Sequence, residues 1–404
     1  MSSINFRRVF LMAALGSLVI VYSFLFLRLL ATPAENTGSD FIAWYAGGRV
    51  ADLWGSANAY DLDLQQAIQA QVVGFELAPG QVLIFNHPPY LVPLLALFMD
   101  GNYLASLGRY AALMALVYAA GLAIAYCLMR MDGWERSPAW LLVAGLATFY
   151  PLFVSLLNTQ DTALMVLGGF LWLFGLRQKK DLLAGLGLAL TTVRPHITLL
   201  LALPFLFRRR GVFWGFCLAA VGLAGISLLS VGIAGAVAYV HILLISAGGQ
   251  WFGMHENAMV NLVGLLTRLF PADGNLIRWI GWGTYFACIV SFCVVWGRTR
   301  ELDDRHFALL IVCGLFFVPH LHYHDLALLL VPLLLVLLQS VKRGHLEPGE
   351  AALVPLAASL VLLVGGLAPF LKYELPYLLM IWLVLGMWAP ARAFFWHKRG
   401  EVAA

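Results

Sequence analysis

The chain has 404 residues, of which 62% are hydrophobic and only 11% are charged, and its mean hydropathy is +0.85. A water-soluble domain needs far more polar surface, so this composition excludes a soluble globular protein and predicts a polytopic membrane protein. The net charge of +4 gives no reason to expect nucleic acid as a partner, because the basic residues lie in short segments between apolar runs. Five cysteines without metal-ligand spacing indicate buried free thiols.

The first apolar run, about residues 9–30, follows Arg7 and Arg8. It is long for a signal-peptide core and long enough to span a bilayer, so we expect an uncleaved anchor with a cytoplasmic start. Basic loops then fix the later spans by the positive-inside rule. The result is a single all-α integral membrane domain over residues 1–404 in the cell membrane, with both termini cytoplasmic and about twelve crossings. The crossings after the first lie near 110–129, 138–156, 162–176, 181–193, 196–207, 212–232, 277–297, 306–319, 325–341, 351–371 and 376–393.

The segment from Pro88 to Met99 does not fit a crossing. It is apolar but only about 12 residues long, where a full span needs about 20. Counting it as a span would also put the later basic loops on the wrong side. We therefore predict a re-entrant or interfacial helix here. Broken helices are expected near Pro195 and Pro319, since irregular backbone is tolerated where it lines a cavity.

The longest polar stretch, residues 31–87, is predicted to be the first outer loop. From Asp40 to Val50 its pattern predicts a helix along the membrane surface, with aromatic rings at headgroup depth. A second helix is predicted from Asp61 to Val73, with Asp61 as its cap. Local sequence leaves two interpretations of Asp40: an N-cap, or a general base at the membrane surface.

Further polar residues occur where other predicted helices end on the same side. One run contains Asn158 and Gln160, and a second contains Arg194 and His196. Arg194 has no carboxylate in its own sequence neighbourhood, so it needs either a distant partner or an anionic ligand. The outer loop over residues 247–276 carries His255 and Asn257, whose side chains suit a sugar or water equally well.

Three histidines alternate in the run His320, His322 and His324, and Asp325 follows. In an extended segment the three imidazoles share one face, as zinc ligands sometimes do. Three interpretations stay open for this run: a metal site, a site for phosphate or acceptor, and ordinary packing at the membrane interface.

Together these residues resemble the polyprenyl-phosphate-dependent glycosyltransferases of the GT-C class, and within it glycosyltransferase family 87. The resemblance covers about residues 35–340 and rests on the order of short motifs along the chain. At the Arg194-Pro195 motif, relatives often have Lys-Pro. The motifs are Ser39-Asp40-Phe41, Tyr45, Tyr60, His87-Pro88-Pro89, Gln160, Arg194-Pro195 and His324-Asp325.

The resemblance implies a GT-C-like helical bundle that takes a hexose from a polyprenyl-phosphate carrier and passes it, with inversion, to a lipid or glycan acceptor outside the membrane. Asp40 matches the aspartate that such enzymes use in the first outer loop. The donor phosphate is expected to bind Arg194, His320, His322 and His324. Weaker candidates for contacts to donor or acceptor are His87, Asn158, Gln160, His196, His255, Asn257 and Asp325. No metal ion or other cofactor is expected.

Two other classes of protein stay open from the residues alone. A transporter or flippase of lipid-linked sugars should bury its polar groups near mid-membrane and often shows repeated halves. A non-catalytic assembly subunit would not need Asp40, Arg194 and His324 together. A separation above about 15 Å between Asp40 and Arg194, without a shared cavity, would contradict catalysis because catalytic groups must be closely positioned.

Overall fold

The structure is a computed structural model that describes residues 6–247, 255–368 and 371–388. In those ranges the chain is helical and has no β-strand, as the sequence predicts. The α-helices there are α1 (Phe6–Ala31), α2 (Pro33–Thr37), α3 (Phe41–Trp54), α4 (Leu62–Val73), α5 (Val92–Phe98), α6 (Tyr103–Met131), α7 (Arg136–Ala147), α8 (Tyr150–Leu157), α9 (Thr162–Arg177), α10 (Asp181–Leu190), α11 (Pro195–Ala202), α12 (Pro204–Phe207), α13 (Arg210–Ala247), α14 (Leu262–Leu269), α15 (Gly274–Arg298), α16 (Asp304–Phe317), α17 (Leu330–Lys342), α18 (Leu353–Leu367) and α19 (Leu375–Trp388). Short 3-10 helices occupy Ser56–Asn58, Pro79–Gln81, Pro89–Leu91, Thr191–Val193, Glu256–Ala258 and Tyr323–Leu329.

Several of these helices are long and apolar enough to cross a membrane, so the protein is a multi-pass membrane protein. Within the described ranges five single helices qualify, and α7 with α8, bent by 50°, gives a sixth if the pair counts as one span. The remaining apolar helices have 10–17 residues. A helix occupies each predicted crossing, whereas the count of about twelve and the side on which each end lies stay predictions. The five are Val9–Ala31, Tyr103–Met131, Arg210–Ser246, Gly274–Arg298 and Tyr323–Lys342.

The segment predicted as a short non-spanning helix forms a 3-10 turn, Pro89–Leu91, that leads into α5. Ten residues rise only about 15 Å, half of a bilayer core. Val92 and Leu95 of this segment are fully buried. They pack against α3, so one face of the segment belongs to the protein interior, while Leu97 on the other face is exposed.

The rings of Trp44 and Tyr45 in α3 are covered by protein and not by lipid headgroups, which differs from the prediction, whereas the course of this helix along the membrane surface stays a prediction. Ten of its fourteen residues are buried, and Trp44 is fully enclosed. The ring of Trp44 packs edge-on against Phe85 at 5.6 Å and lies 5.4 Å from the ring of Tyr110. These aromatic groups find protein partners rather than lipid headgroups, because α5 and α6 cover them. The second helix is as predicted: α4 follows Asp61, whose carboxylate accepts from two backbone N–H groups of the first turn at 3.0 Å.

Helix α13 bends at Gly232, where φ is 65° and ψ is −176°, a conformation that residues with a side chain avoid. Its 38 residues exceed the roughly 20 that one span needs. Beyond the bend the helix packs on the first loop: the ring of Tyr239 lies 5.2 Å from that of Tyr60, and Asn86 donates to Ser246 at 3.4 Å. The last part of α13 therefore covers the segment that leads to His87.

Candidate active site

A buried polar cluster is centred on Arg194, which lies between the 3-10 turn Thr191–Val193 and α11. Its Nη1 is 3.0 Å from Asp161 Oδ1, and its Nε donates to Asp325 Oδ1 at 3.2 Å. Asp161 is fully buried and Asp325 is 1% exposed. The partners lie 33 and 131 positions away along the chain, so the structure gives this arginine distant partners rather than local ones.

The remaining donors of Arg194 also face protein acceptors. Nη2 donates to Gln160 Oε1 at 3.1 Å and lies 3.5 Å from His324 Nε2, while Nη1 also reaches the carbonyl of Val193 at 3.3 Å. A guanidinium has five N–H groups. Within the described ranges each of the three guanidinium nitrogens lies within 3.2 Å of a side-chain oxygen of the protein, so Arg194 holds the cluster together in this state.

Gln160 and Asp161 are positioned by the way α8 ends. The N–H of Gln160 donates to Ser155 O at 2.9 Å and the N–H of Thr159 donates to Leu156 O at 3.0 Å. This is the Schellman pattern, whose left-handed residue is usually glycine. Here Thr159 adopts it, with φ at 54° and its side chain fully buried. The turn reverses the chain, so that Gln160 and Asp161 point inward before α9 begins.

His87 forms the second contact of Asp161. Its Nδ1 lies 3.0 Å from Asp161 Oδ2, the indole of Trp44 covers its ring at a centroid distance of 3.6 Å, and Tyr60 donates to its carbonyl at 2.7 Å. Burial lowers the pKa of His87 although Asp161 opposes this, which favours a neutral ring that donates Nδ1–H. Burial would raise the pKa of Asp161, but Arg194 and His87 outweigh it and hold that pKa below its usual value.

Asp40 occupies the N-cap position of α3, but its carboxylate makes no capping hydrogen bond. Instead Oδ2 accepts from Gln160 Nε2 at 2.6 Å. Gln160 also binds Arg194, so the facing atoms of Asp40 and Arg194 are no more than about 8 Å apart, a limit set by two hydrogen bonds and one amide group. The separation of 15 Å that would contradict catalysis does not occur.

The alternating histidines border this cluster. The rings of His320 and His322 are 4.6 Å apart, and those of His322 and His324 are 5.8 Å apart. His196 Nε2 binds the carbonyl of His320 at 2.9 Å. Asp325 Oδ2 accepts from the N–H of His322 at 3.1 Å, which fixes the end of this segment. Burial lowers the pKa of the half-buried His322, and neighbouring His324 lowers it further, so this ring is neutral near pH 7. In the part of the chain that the structure describes, no group of three or more His, Cys, Asp or Glu side chains is arranged to hold a metal ion.

Three predicted residues lie apart from the cluster. Asn158 ends α8 before the left-handed turn, and within the described residues its side chain makes no hydrogen bond to the cluster. His255 and Asn257 are exposed, at the 3-10 turn Glu256–Ala258. That turn is held by Arg268, which donates to the carbonyl of Asn257 at 2.9 Å. The roles of these three residues in binding stay predictions.

Asp161 is the member of the cluster that the sequence prediction did not select. It belongs to the polar run at residues 158–161 but directly precedes an apolar helix, which makes it look like an ordinary cap. Thr162 was also not selected; its hydroxyl donates to Asp325 Oδ1 at 3.4 Å. The signal that could have found Asp161 is charge: a buried arginine needs carboxylates, and few lie at the ends of helices on that side.

Fold and cluster together define a multi-pass membrane protein with a buried, ionised polar site formed at breaks between helices. A model of glycosyltransferase family 87 matches residues 85–332, a stretch that begins just before His87 and ends beyond Asp325, whereas Asp40 precedes it. The chain belongs to glycosyltransferase family 87 and is accordingly a glycosyltransferase, which binds a sugar donor and an acceptor. Comparisons with curated proteins and with solved structures gave no match.

Proposed function

We propose that the protein is an inverting glycosyltransferase that moves a hexose from a polyprenyl-phosphate carrier to a lipid or glycan acceptor at the outer face of the cell membrane. On this proposal the helices form a GT-C-like bundle of about twelve crossings with both termini in the cytoplasm. The observation that carries the proposal is the Asp40 carboxylate. It does not cap its helix, and it is held at the edge of a buried ionic cluster.

Asp40 acts as the general base. As the acceptor oxygen attacks the anomeric carbon, Asp40 takes its proton, and the bond from that carbon to the phosphate oxygen breaks. The polyprenyl phosphate leaves with the bonding electrons, and a single displacement inverts the anomeric centre. Positioned proton transfer of this kind contributes about 10²- to 10⁴-fold to the rate.

The leaving phosphate gains negative charge and needs hydrogen-bond donors or cations. His320 and His322 are half-buried and border the cluster, so their rings are available to a ligand, and each neutral imidazole has one N–H to donate. Arg194 contributes its positive charge from behind these rings, and the ring of His324 lies beside it. Arg194 can bind the phosphate directly only when one of its present acceptors gives way.

The test is transfer by the purified protein in lipid nanodiscs, with radiolabelled polyprenyl-phosphate-mannose or polyprenyl-phosphate-glucose and a membrane lipid extract. We expect Asp40→Asn to reduce kcat by about 10²- to 10⁴-fold while donor binding survives. Asp63→Asn is the matched control, because Asp63 is an exposed carboxylate in the same loop. We expect it to behave as wild type.

Equal transfer by Asp40→Asn and wild type would remove Asp40 from the mechanism. If no donor is used by wild type, the next measurement is movement of the same labelled donors across liposomes that contain the protein. Movement there, without transfer, would favour the flippase interpretation.

A further inference from the structure

We propose that Gln160 is a positioning residue: it fixes the Asp40 carboxylate for proton abstraction and keeps it apart from the Arg194 guanidinium. This rests on the proposed role of Asp40 as the base. It replaces the expectation that Gln160 contacts donor or acceptor.

The orientation of the Gln160 amide follows from its neighbours. A guanidinium carries only donors, so the atom that faces Arg194 Nη2 at 3.1 Å must be the amide oxygen. The NH₂ group then faces Asp40 and donates to Oδ2 at 2.6 Å. One side chain thus connects the base to the centre of the cluster, and only one amide orientation satisfies both contacts.

The backbone around Gln160 leaves this side chain little freedom. Gln160 is 4% exposed, and its N–H is bound to Ser155 O at the end of α8. The preceding Thr159 adopts the left-handed conformation, which is unfavourable for a β-branched residue. Asp161, the next residue, is bound by both Arg194 and His87. The amide is therefore held on both sides along the chain, as precise positioning requires.

The amide of Gln160 separates the Asp40 carboxylate from the Arg194 guanidinium, and this separation has a chemical consequence. A carboxylate in direct contact with a guanidinium strongly favours its ionised form and is a weaker base. An amide between them keeps the two groups aligned without that contact. It also occupies Oδ2, which leaves Oδ1 of Asp40 for the acceptor proton. Arg194 and His322 both interact electrostatically with Asp40 from the facing segments, and Arg194 is itself balanced by Asp161 and Asp325.

The first test separates positioning from substrate contact by kinetics. Gln160→Met keeps the size of the side chain and removes both hydrogen bonds. We expect kcat to fall about 10²-fold with little change in donor KM, because the base is misplaced but the donor site is intact. Gln69→Met is the matched control: Gln69 is also buried in the first loop, and within the described residues its amide binds the backbone of Leu83. A raised KM with unchanged kcat in Gln160→Met would overturn the proposal.

The second test needs no transfer and therefore does not depend on the proposed reaction. Infrared difference spectra of wild type minus Asp40→Asn, recorded against pH, isolate the protonation of Asp40. Gln160→Glu places a carboxylate beside Asp40, and a like charge opposes loss of its proton. We expect the midpoint of the Asp40 signal to rise by about one pH unit, and Gln69→Glu to leave it unchanged.

The two tests fail in different ways. An unchanged Asp40 midpoint in folded Gln160→Glu would overturn the positioning role, whatever the activity. A raised midpoint, with full transfer retained by Asp40→Asn, would uphold the contact but remove the base from the proposed function. If Gln160→Met does not fold, Gln160→Asn takes its place, since its shorter amide can hold only one of the two partners.

Discussion

Helix α9 has a similar group of charges at each of its ends, yet the two groups differ in their surroundings. At its start Arg194 binds Asp161 and Asp325, and at its end Arg177 binds Asp132 at 3.2 Å and Asp304 at 2.7 Å. The side chains of the first group are 11%, 0% and 1% exposed, whereas those of the second are 29%, 31% and 20% exposed. The same three charges are therefore buried at one end and partly hydrated at the other.

The difference lies in what surrounds each arginine. Arg177 ends a helix beside an open cleft of about 1160 Å³ that Asp132 and Asp304 also line. Water can solvate these charges, so the group is a surface ion-pair network. Arg194 lies among helix breaks and is surrounded by Gln160, His87 and His324. A buried ionic group is a poor source of stability, which favours a functional reason for its presence.

The largest expected effect is on the buried group. Arg194→Gln leaves Asp161 and Asp325 without their cation, and we expect the free energy of unfolding to fall by about 3–5 kcal/mol. Unfolding in mixed micelles of rising SDS content measures this. A loss below about 1 kcal/mol would show that the two carboxylates are hydrated or protonated, and the contrast with Arg177 would disappear.

A second variant separates stability from function. Arg194→Met combined with Asp161→Asn and Asp325→Asn removes all three charges and keeps the volume of each side chain close to the original. Because neutral replacement of a buried ionic group is often tolerated, we expect stability within about 2 kcal/mol of wild type, but no transfer. Transfer in this variant would contradict a functional role for the buried charges. Stability as low as that of Arg194→Gln would show that the charges are needed for folding.

The smallest effect is expected at the other end of α9. Arg177→Gln should reduce the free energy of unfolding by no more than about 1 kcal/mol, since its partners stay in contact with water. Transfer should match wild type in the same assay. A loss comparable to that of Arg194→Gln would mean that exposure does not distinguish the two groups.

Most of the helical architecture could be predicted from the sequence, because apolar runs indicate membrane helices and basic loops indicate where those helices end. The short helix at Pro89–Phe98 was expected from its length and from the positions of the later basic loops, and that it does not cross the membrane stays a prediction. The burial of helix α3 was not expected: an amphipathic pattern shows which face is apolar, but not whether lipid or protein covers it. Trp44 is buried by Phe85 and Tyr110, which lie far from it in the sequence.

Part of the site could also be predicted from the sequence. Arg194 and the histidines stand out because polar residues are rare in such a chain. The contacts that join them span up to 131 positions along the chain and depend on backbone details, such as the left-handed Thr159, that no local pattern reveals. Asp40 illustrates this limit: its sequence context favours a cap, and only the position of Gln160 shows that its carboxylate is used elsewhere.

The length of α9 has a consequence for how the proposed lipid-linked donor approaches. Its 16 residues rise about 24 Å, and any tilt shortens the depth that they cover. The hydrocarbon layer of a typical bilayer is about 30 Å thick. If the Arg177 group lies at one boundary of that layer, the Arg194 group is recessed by several ångströms beneath the opposite boundary. The headgroup of the proposed lipid-linked donor would then enter sideways, at nearly its own depth, rather than being lifted out into water.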